Sequence, residues 1–296
     1  MSSTSVLYDA PGPRARRRAA VSGAIATLVV LMLIGLVVKR LADQGQFAGN
    51  LWDPILDPSD ESFPLVWRLI GQGLLATLTA AVLAITFSLV IGGVVGVARM
   101  MLGSRQRMPI VGLIELLRGL PVVITIYFAS RVLPELGLDL SGMPGGAGLW
   151  FLVIGLTAYD CVIIAEIIRA GVSSLPSGQR EAALAVGLTP EATMRLVLLP
   201  QAVRVMLPAL ISQLIVILKD TSLTAVLGLY TELLRQGNLI ALNLKNPIQI
   251  LSVVAVIFIL INYSLSRLAT WADQRSVRKA QSKRIERVPG EVGCPP

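Results

Sequence analysis

The run Leu69–Ala98, LIGQGLLATLTAAVLAITFSLVIGGVVGVA, decides the fold. Its thirty residues carry no formal charge and are bounded by Arg68 and Arg99. At about 1.5 Å of rise per residue, a helix of this length exceeds the roughly 30 Å of a bilayer core. Ala19–Val38 and Pro247–Ser266 are two further uncharged runs of twenty residues, each long enough to span.

Outward from these runs, the chain has 54% hydrophobic and only 15% charged residues, a composition too apolar for an ordinary soluble domain. Three more apolar stretches carry a few charges. Met108–Ser130 contains Glu115 and Arg118, Leu149–Ile168 contains Asp160 and Glu166, and Val205–Leu218 continues past Lys219 and Asp220 into Thr221–Tyr230. An ionisable group inside a span is costly and faces protein or a water-filled path, so these segments read as helices of a bundle. The sequence therefore predicts an all-α integral membrane protein of about six transmembrane helices. The first run follows Arg14, Arg16, Arg17 and Arg18 as a secretory leader would, but it is longer than a leader's apolar core. Lys39 and Arg40 follow it with no small-residue cleavage pattern, so it reads as a retained anchor.

Orientation follows from lysine and arginine. With a cytoplasmic N-terminus, the inner segments hold four in the tail, three at Arg99–Arg107, four from Arg169 to Arg204 and seven from Arg267 to Arg287, eighteen in all. The outer segments hold six: Lys39, Arg40, Arg131, Lys219, Arg235 and Lys245. Both termini are expected to be cytoplasmic. The net charge of +8 is accounted for by this asymmetry and by anionic membrane lipid, without a nucleic-acid partner. The chain has no histidine, which removes His-based catalysis and most transition-metal sites. No lysine follows a glycine as a phosphate-binding loop requires, so the chain is not expected to bind ATP by that route. Cys161 falls within a span and Cys294 in the tail, so no disulfide is expected between them.

The expected organisation is a basic, disordered cytoplasmic tail (1–18), an N-terminal transmembrane helix (19–38), an outer linker (39–63) with Pro54 and Pro58, a bundle domain (64–272) and a basic tail (273–296). Ser62–Gln72 reads as a possible amphipathic surface helix ahead of the second span, and Asp139–Gly148 as a turn-rich outer loop. Within the bundle domain, the cytoplasmic loop 173–200 is patterned rather than merely polar. Ser177 can cap a helix whose first turn holds Gln179, Arg180 and Glu181, whose apolar face is Ala182, Ala183, Leu184 and Val186, and which stops at Gly187. Thr189 can cap a second helix, with Pro190 first and Glu191 near its positive dipole end, ending before Pro200. Two short helices meeting at a glycine make a knob.

Written as Glu181-Ala182-Ala183, three residues, Gly187, nine residues, then Val197-Leu198-Leu199-Pro200, this loop resembles the EAA signature of permease subunits of type I ABC importers, with Val197 in place of isoleucine. The resemblance extends over roughly 71–271 and narrows to the polar amino-acid branch. It rests on Arg118-Gly119-Leu120-Pro121, Ala165-Glu166-Ile167-Ile168-Arg169-Ala170-Gly171, Gly178-Gln179-Arg180-Glu181, Leu199-Pro200-Gln201-Ala202 and Lys219-Asp220-Thr221-Ser222-Leu223. Leu120 and Thr125 depart from the usual threonine and glutamine. The extra N-terminal span and the lead-in Val6–Pro13 resemble glutamate-uptake permeases that work beside a second, different permease.

The resemblance implies a MetI-like permease core with an added N-terminal helix in a bacterial cell membrane. It implies two ATP-binding cassette subunits that carry ATP and Mg²⁺, a second permease subunit, an extracytoplasmic binding protein, and a polar amino acid such as glutamate, aspartate or glutamine as substrate. On that view Gln179, Glu181, Ala182, Ala183 and Gly187 form the ATPase-coupling surface, with no catalytic or metal-binding residue in this chain. Lys219 and Asp220 diverge by about 100° on a helix and are poorly placed to neutralise each other, so they can hold a substrate's carboxylate and ammonium, with Thr221 and Ser222 adding hydroxyls. The competing role is a structural ion pair at a helix end. Arg118 is a candidate for a second, side-chain carboxylate, and Glu115 one turn earlier is its competing partner. Two other classes remain: a passive channel, and a membrane-embedded transferase in which Asp160, Glu166 and Asp220 bind Mg²⁺.

The basic asymmetry predicts that, in a cysteine-less background, impermeant thiol reagents reach cysteines placed at Gly49 and Gly145 in sealed cells and spare one at Gly187. External labelling at 187 would invert the topology.

Overall fold

A computed structural model describes residues 12–285; the lead-in at 6–11 and Cys294 lie outside them. Among the described residues the chain is helical with no strand, and it divides into two compact units between Asp60 and Glu61.

In the first unit, α1 (Pro13–Asp43) takes in the arginine cluster expected to be disordered. Pro13 stands at the first helical position, where its fixed φ suits helix entry and its missing N–H costs nothing. The hydroxyls of Ser22 and Thr27 donate to the carbonyls of Ala19 and Gly23, so the apolar stretch satisfies its own polar groups as a lipid setting requires. The linker beyond it holds a 3-10 turn (Gly49–Leu51) and the short α2 (Asp53–Leu56).

In the second unit, α3 (Phe63–Met101) is one continuous helix of 39 residues, so the separate surface helix expected over Ser62–Gln72 is not formed. Pro64 falls in its first turn, where it initiates rather than breaks. The expected single span Met108–Ser130 is instead two helices, α4 (Ser104–Arg118) and α5 (Val122–Glu135), turned by 107°. Gly119 closes α4, and Pro121 opens α5 from an extended conformation (φ −62°, ψ 137°), with no N–H to continue the ladder. A loop follows in which hydrogen bonds from Ser141 hold the Asp139 carboxyl below its ordinary range. Next comes α6 (Gly146–Ser173), then α7 (Ser177–Ala185) and α8 (Pro190–Ala192).

α8 does not stop before Pro200. It runs through a π-helical stretch (Thr193–Leu198) into α9 (Leu199–Asp220), a 3-10 turn (Thr221–Leu223) and α10 (Thr224–Leu227), together one span of 38 residues. Pro200 would collide with the carbonyl four residues back in a regular α-helix, and the wider π turn just ahead of it removes that conflict. α11 (Leu233–Leu244) is capped by the buried Glu232, whose carboxylate accepts from the N–H groups of Leu234 and Arg235, each at 2.8 Å. α12 (Pro247–Ile285) continues well past the span expected to end at Ser266. Among the described residues five helices are long and apolar enough to cross a membrane, and there are six spans if the bent pair α4 and α5 counts as one.

The core lies between α3 and α6. Ala80, Ala84, Ser88, Gly92 and Gly96, spaced by four, are all buried along one side of α3. A Cβ at Gly92 would come within 2.6 Å of the Cys161 carbonyl oxygen, and one at Gly96 within 3.0 Å of that of Ala165. In lipid, helix association relies on such close packing rather than on water exclusion. On its other side, α6 seats α5 at Gly155, where a Cβ would lie 2.4 Å from the Cα of Ile126. The expectation is that Gly155→Ala forces backbone apart at a cost of about 1–3 kcal/mol and lowers the thermal midpoint of the purified protein. Gly93→Ala, with open space around it, leaves the midpoint where it was; equal midpoints for both variants would refute the contact.

Candidate coupling and substrate sites

The knob closes as the sequence suggests, with one shift. Pro176 occupies the cap position of α7 and Ser177 the first helical one, so Ser177 is not the cap and makes no capping hydrogen bond. At the other end Gly187 has φ +89°. Its N–H donates to the Leu184 carbonyl at 3.0 Å and that of Leu188 to the Ala183 carbonyl at 3.2 Å, the paired bonds of a left-handed helix stop. Space around Gly187 is open, so glycine is required there by backbone conformation and not by crowding within the chain. The Thr189 hydroxyl oxygen accepts from the Ala192 N–H at 3.2 Å, capping α8 as expected.

The five coupling candidates do not share one surface. Glu181 is the fifth residue of α7, beyond its first turn, and its side chain is exposed; the simple first-turn role is not the one it has. Ala182 is exposed, but Ala183 is buried at 6%, so its small size serves packing within the chain rather than a partner's approach. Gln179 accepts at 3.4 Å from the Gln201 amide, which also donates to the Val197 carbonyl at 2.9 Å. α7 is thereby tied to the start of α9. Val186, 78% exposed, and Leu196, 69% exposed, give the knob apolar surface.

Toward the far end of the same long helix, Lys219 is exposed and Asp220 half-buried, and among the described residues neither forms an ion pair. Thr221 is fully buried and its hydroxyl donates to the Leu218 carbonyl at 2.7 Å, so it holds the 3-10 turn. The Ser222 hydroxyl is buried without a hydrogen-bond partner. Beside this segment stands a pair the sequence did not single out. Asp160, fully buried on α6, accepts from the Gln213 amide of α9 at 2.8 Å, and its second oxygen is unpartnered. Asp220 is within electrostatic reach of Asp160. Gln213 and Asp220 are seven apart, hence on one face of α9, and that spacing was the available signal.

Arg118 is not brought into this group. It bonds Glu115 at 3.4 Å and lies within electrostatic reach of Glu166. Glu166 pairs with Arg169, and it also accepts from Arg99 at 2.9 Å, joining α6 to α3. With Glu166 held by two arginines, the three carboxylates of the Mg²⁺ reading do not assemble, and among the described residues no cluster suited to a metal forms.

A family model described as the binding-protein-dependent transport system inner membrane component matches residues 88–278. The glutamate transport system permease protein GluD of Corynebacterium glutamicum is 37% identical over 251 residues, covering 84% of this chain and 88% of that one. The glutamine transport system permease protein GlnP of Escherichia coli K12 is 39% identical over 207 residues, covering 70% and 92%. Among solved structures, an amino acid ABC transporter crystallised with histidines superposes with a TM-score of 0.64 at 28% identity, over 72% of this chain and 97% of its own. The small-residue helical core, the glycine-stopped knob and these matches agree: the chain belongs to the family of binding-protein-dependent transport system inner membrane components, the non-enzymatic permease subunits of ABC transporters.

Proposed function

We propose that this chain is the permease subunit of an importer for a polar amino acid of the glutamate and glutamine class, lying in a bacterial cell membrane with both termini cytoplasmic. The relatives named for glutamate and glutamine transport support the substrate class, and the eighteen basic residues on one side support the orientation. A second permease chain completes the path, an extracytoplasmic binding protein delivers substrate, and two ATPase subunits carrying ATP and Mg²⁺ dock at Glu181, Ala182, Val186 and Gly187.

The observation that carries the mechanism is the continuity of the helix from Pro190 to Leu227. Gln179 is bonded to its inner part through Gln201, and its outer part carries Gln213, Lys219 and Asp220. A displacement of the knob by the ATPases therefore moves the substrate-facing groups without an intervening hinge loop. There Lys219 takes the α-carboxylate, Asp220 the ammonium and Ser222 adds its free hydroxyl. Asp160, fixing one end of the Gln213 amide, aims the other.

Gly187→Leu imposes a side chain on a left-handed backbone, and in the assembled transporter it is expected to abolish substrate-stimulated ATP hydrolysis while membrane insertion stays normal. Unchanged stimulation would remove Gly187 from coupling. Asp220→Asn keeps shape but loses charge, and without the binding protein it is expected to raise the substrate concentration giving half-maximal stimulation by a factor corresponding to about 1.5–3 kcal/mol. An unshifted concentration would remove Asp220 from the site. Since Arg118 is paired with Glu115, Arg118→Gln is expected to affect glutamate and glutamine alike. A loss confined to glutamate would instead make Arg118 the reader of the side-chain carboxylate.

A further inference from the structure

Behind the knob, the ends of α3 and α6 and the start of α4 enclose an open cavity of about 1020 Å³. Four guanidinium groups line it: Arg99, Arg107, Arg169 and Arg180. Arg99 and Arg169 share Glu166, while Arg107 and Arg180 have no carboxylate partner among the described residues. The cavity therefore carries uncompensated positive charge. Thr193, 1% exposed on the π-helical stretch, also lines it, and its buried Oγ1 has no hydrogen-bond partner. A buried hydroxyl left unmatched is costly, and it marks a place where a ligand's acceptor oxygen fits.

Apart from Ser104, Ser173 and Ser177, the remaining wall is apolar and adaptable, with Met100, Met101, Met108 and Met194 prominent. A free inorganic anion needs neither that wall nor this volume. An anionic head joined to an apolar body uses both, and clusters of arginine next to a membrane-spanning segment attract anionic lipid headgroups. On the orientation proposed above, these arginines lie at the cytoplasmic leaflet.

We propose that this cavity binds an anionic phospholipid of the cytoplasmic leaflet, its phosphate held by Arg107, Arg180 and the Thr193 hydroxyl and its acyl chains laid along the methionines. The lipid bridges α4 to α7 and braces the knob from behind, so the position of the coupling surface depends on the lipid beside it.

The test is native mass spectrometry of the assembled transporter taken from nanodiscs of phosphatidylcholine with phosphatidylglycerol. The wild type is expected to retain phosphatidylglycerol selectively, and Arg107→Gln and Arg180→Gln each to weaken that retention about fivefold. Thr193→Val should weaken it too. Arg105→Gln, which removes the same charge two residues away on α4 from a side chain outside the cavity lining, is expected to change nothing. Equal loss in Arg105→Gln and Arg107→Gln would reduce the effect to diffuse surface charge, and displacement of the lipid by inorganic phosphate would make the site one for a free anion. Either result, or a wild type with no lipid preference, overturns the proposal. Substrate-stimulated ATP hydrolysis measured on the same samples reports separately on the importer function, which survives if only the lipid site is wrong. An arginine variant whose thermal midpoint falls is replaced by the corresponding lysine, which keeps the charge and should restore retention.

Discussion

The close contact between α3 and α6 is the constraint on which the other arrangements depend. In water, two apolar helices associate by removing surface from solvent; in lipid that advantage is absent, and what remains is the fit of backbone against backbone. The four-residue spacing from Ala80 to Gly96 supplies that fit along five turns of α3, and Gly92 and Gly96 bring it against the carbonyls of Cys161 and Ala165. Once α6 is fixed there, its other faces receive Ile126 of α5 at Gly155 and Met206 of α9 at Gly171. Asp160 is then buried by the same packing, and a charge-bearing group in that position needs a partner from a neighbouring helix, which Gln213 provides.

Polar residues inside the bundle divide into two levels along α6. At one level, Arg99 and Arg169 converge on Glu166 and join α3 to α6 by charge as well as by shape. In this cluster each charged side chain has an ion-pair partner within the chain, although one carboxylate serves two guanidinium groups. At the other level, Asp160 and Ser222 retain buried oxygen atoms without a hydrogen-bond partner, and Asp220 has no ion-pair partner among the described residues. Structural ion pairs are characterised by mutual neutralisation, and sites for a zwitterion by its absence. The two levels thus differ in whether the chain itself supplies ion-pair partners.

The long helix from Pro190 to Leu227 connects the knob to the second level. Its irregular stretches are placed where the sequence cannot sustain a plain α-helix: a π turn ahead of Pro200 and a 3-10 turn at Thr221–Leu223, held by the hydroxyls of Thr221 and Thr224. Neither interrupts the rod. Departures from regular α-helical geometry are where a helix bends, so the two irregular stretches are where the orientations of its two ends can differ.

The sequence by itself determined the elements that depend on local chemistry. Long uncharged runs, the glycine stop at Gly187 and the Thr189 cap are properties of neighbouring residues, and each is present in the structure as a helix, a left-handed stop and a capping hydrogen bond. Local rules also contained the break at Gly119 and Pro121, but not its size: two residues show that a helix ends, whereas an angle of 107° depends on what α4 and α5 each pack against. Ala183 turned inward, Glu166 drawn to Arg99 sixty-seven residues away and Asp160 set against Gln213 are decisions of tertiary structure. No local pattern could have supplied them, because a partner's identity across a helix interface depends on which faces meet, and those faces are selected by the backbone approach that the small residues of α3 and α6 permit.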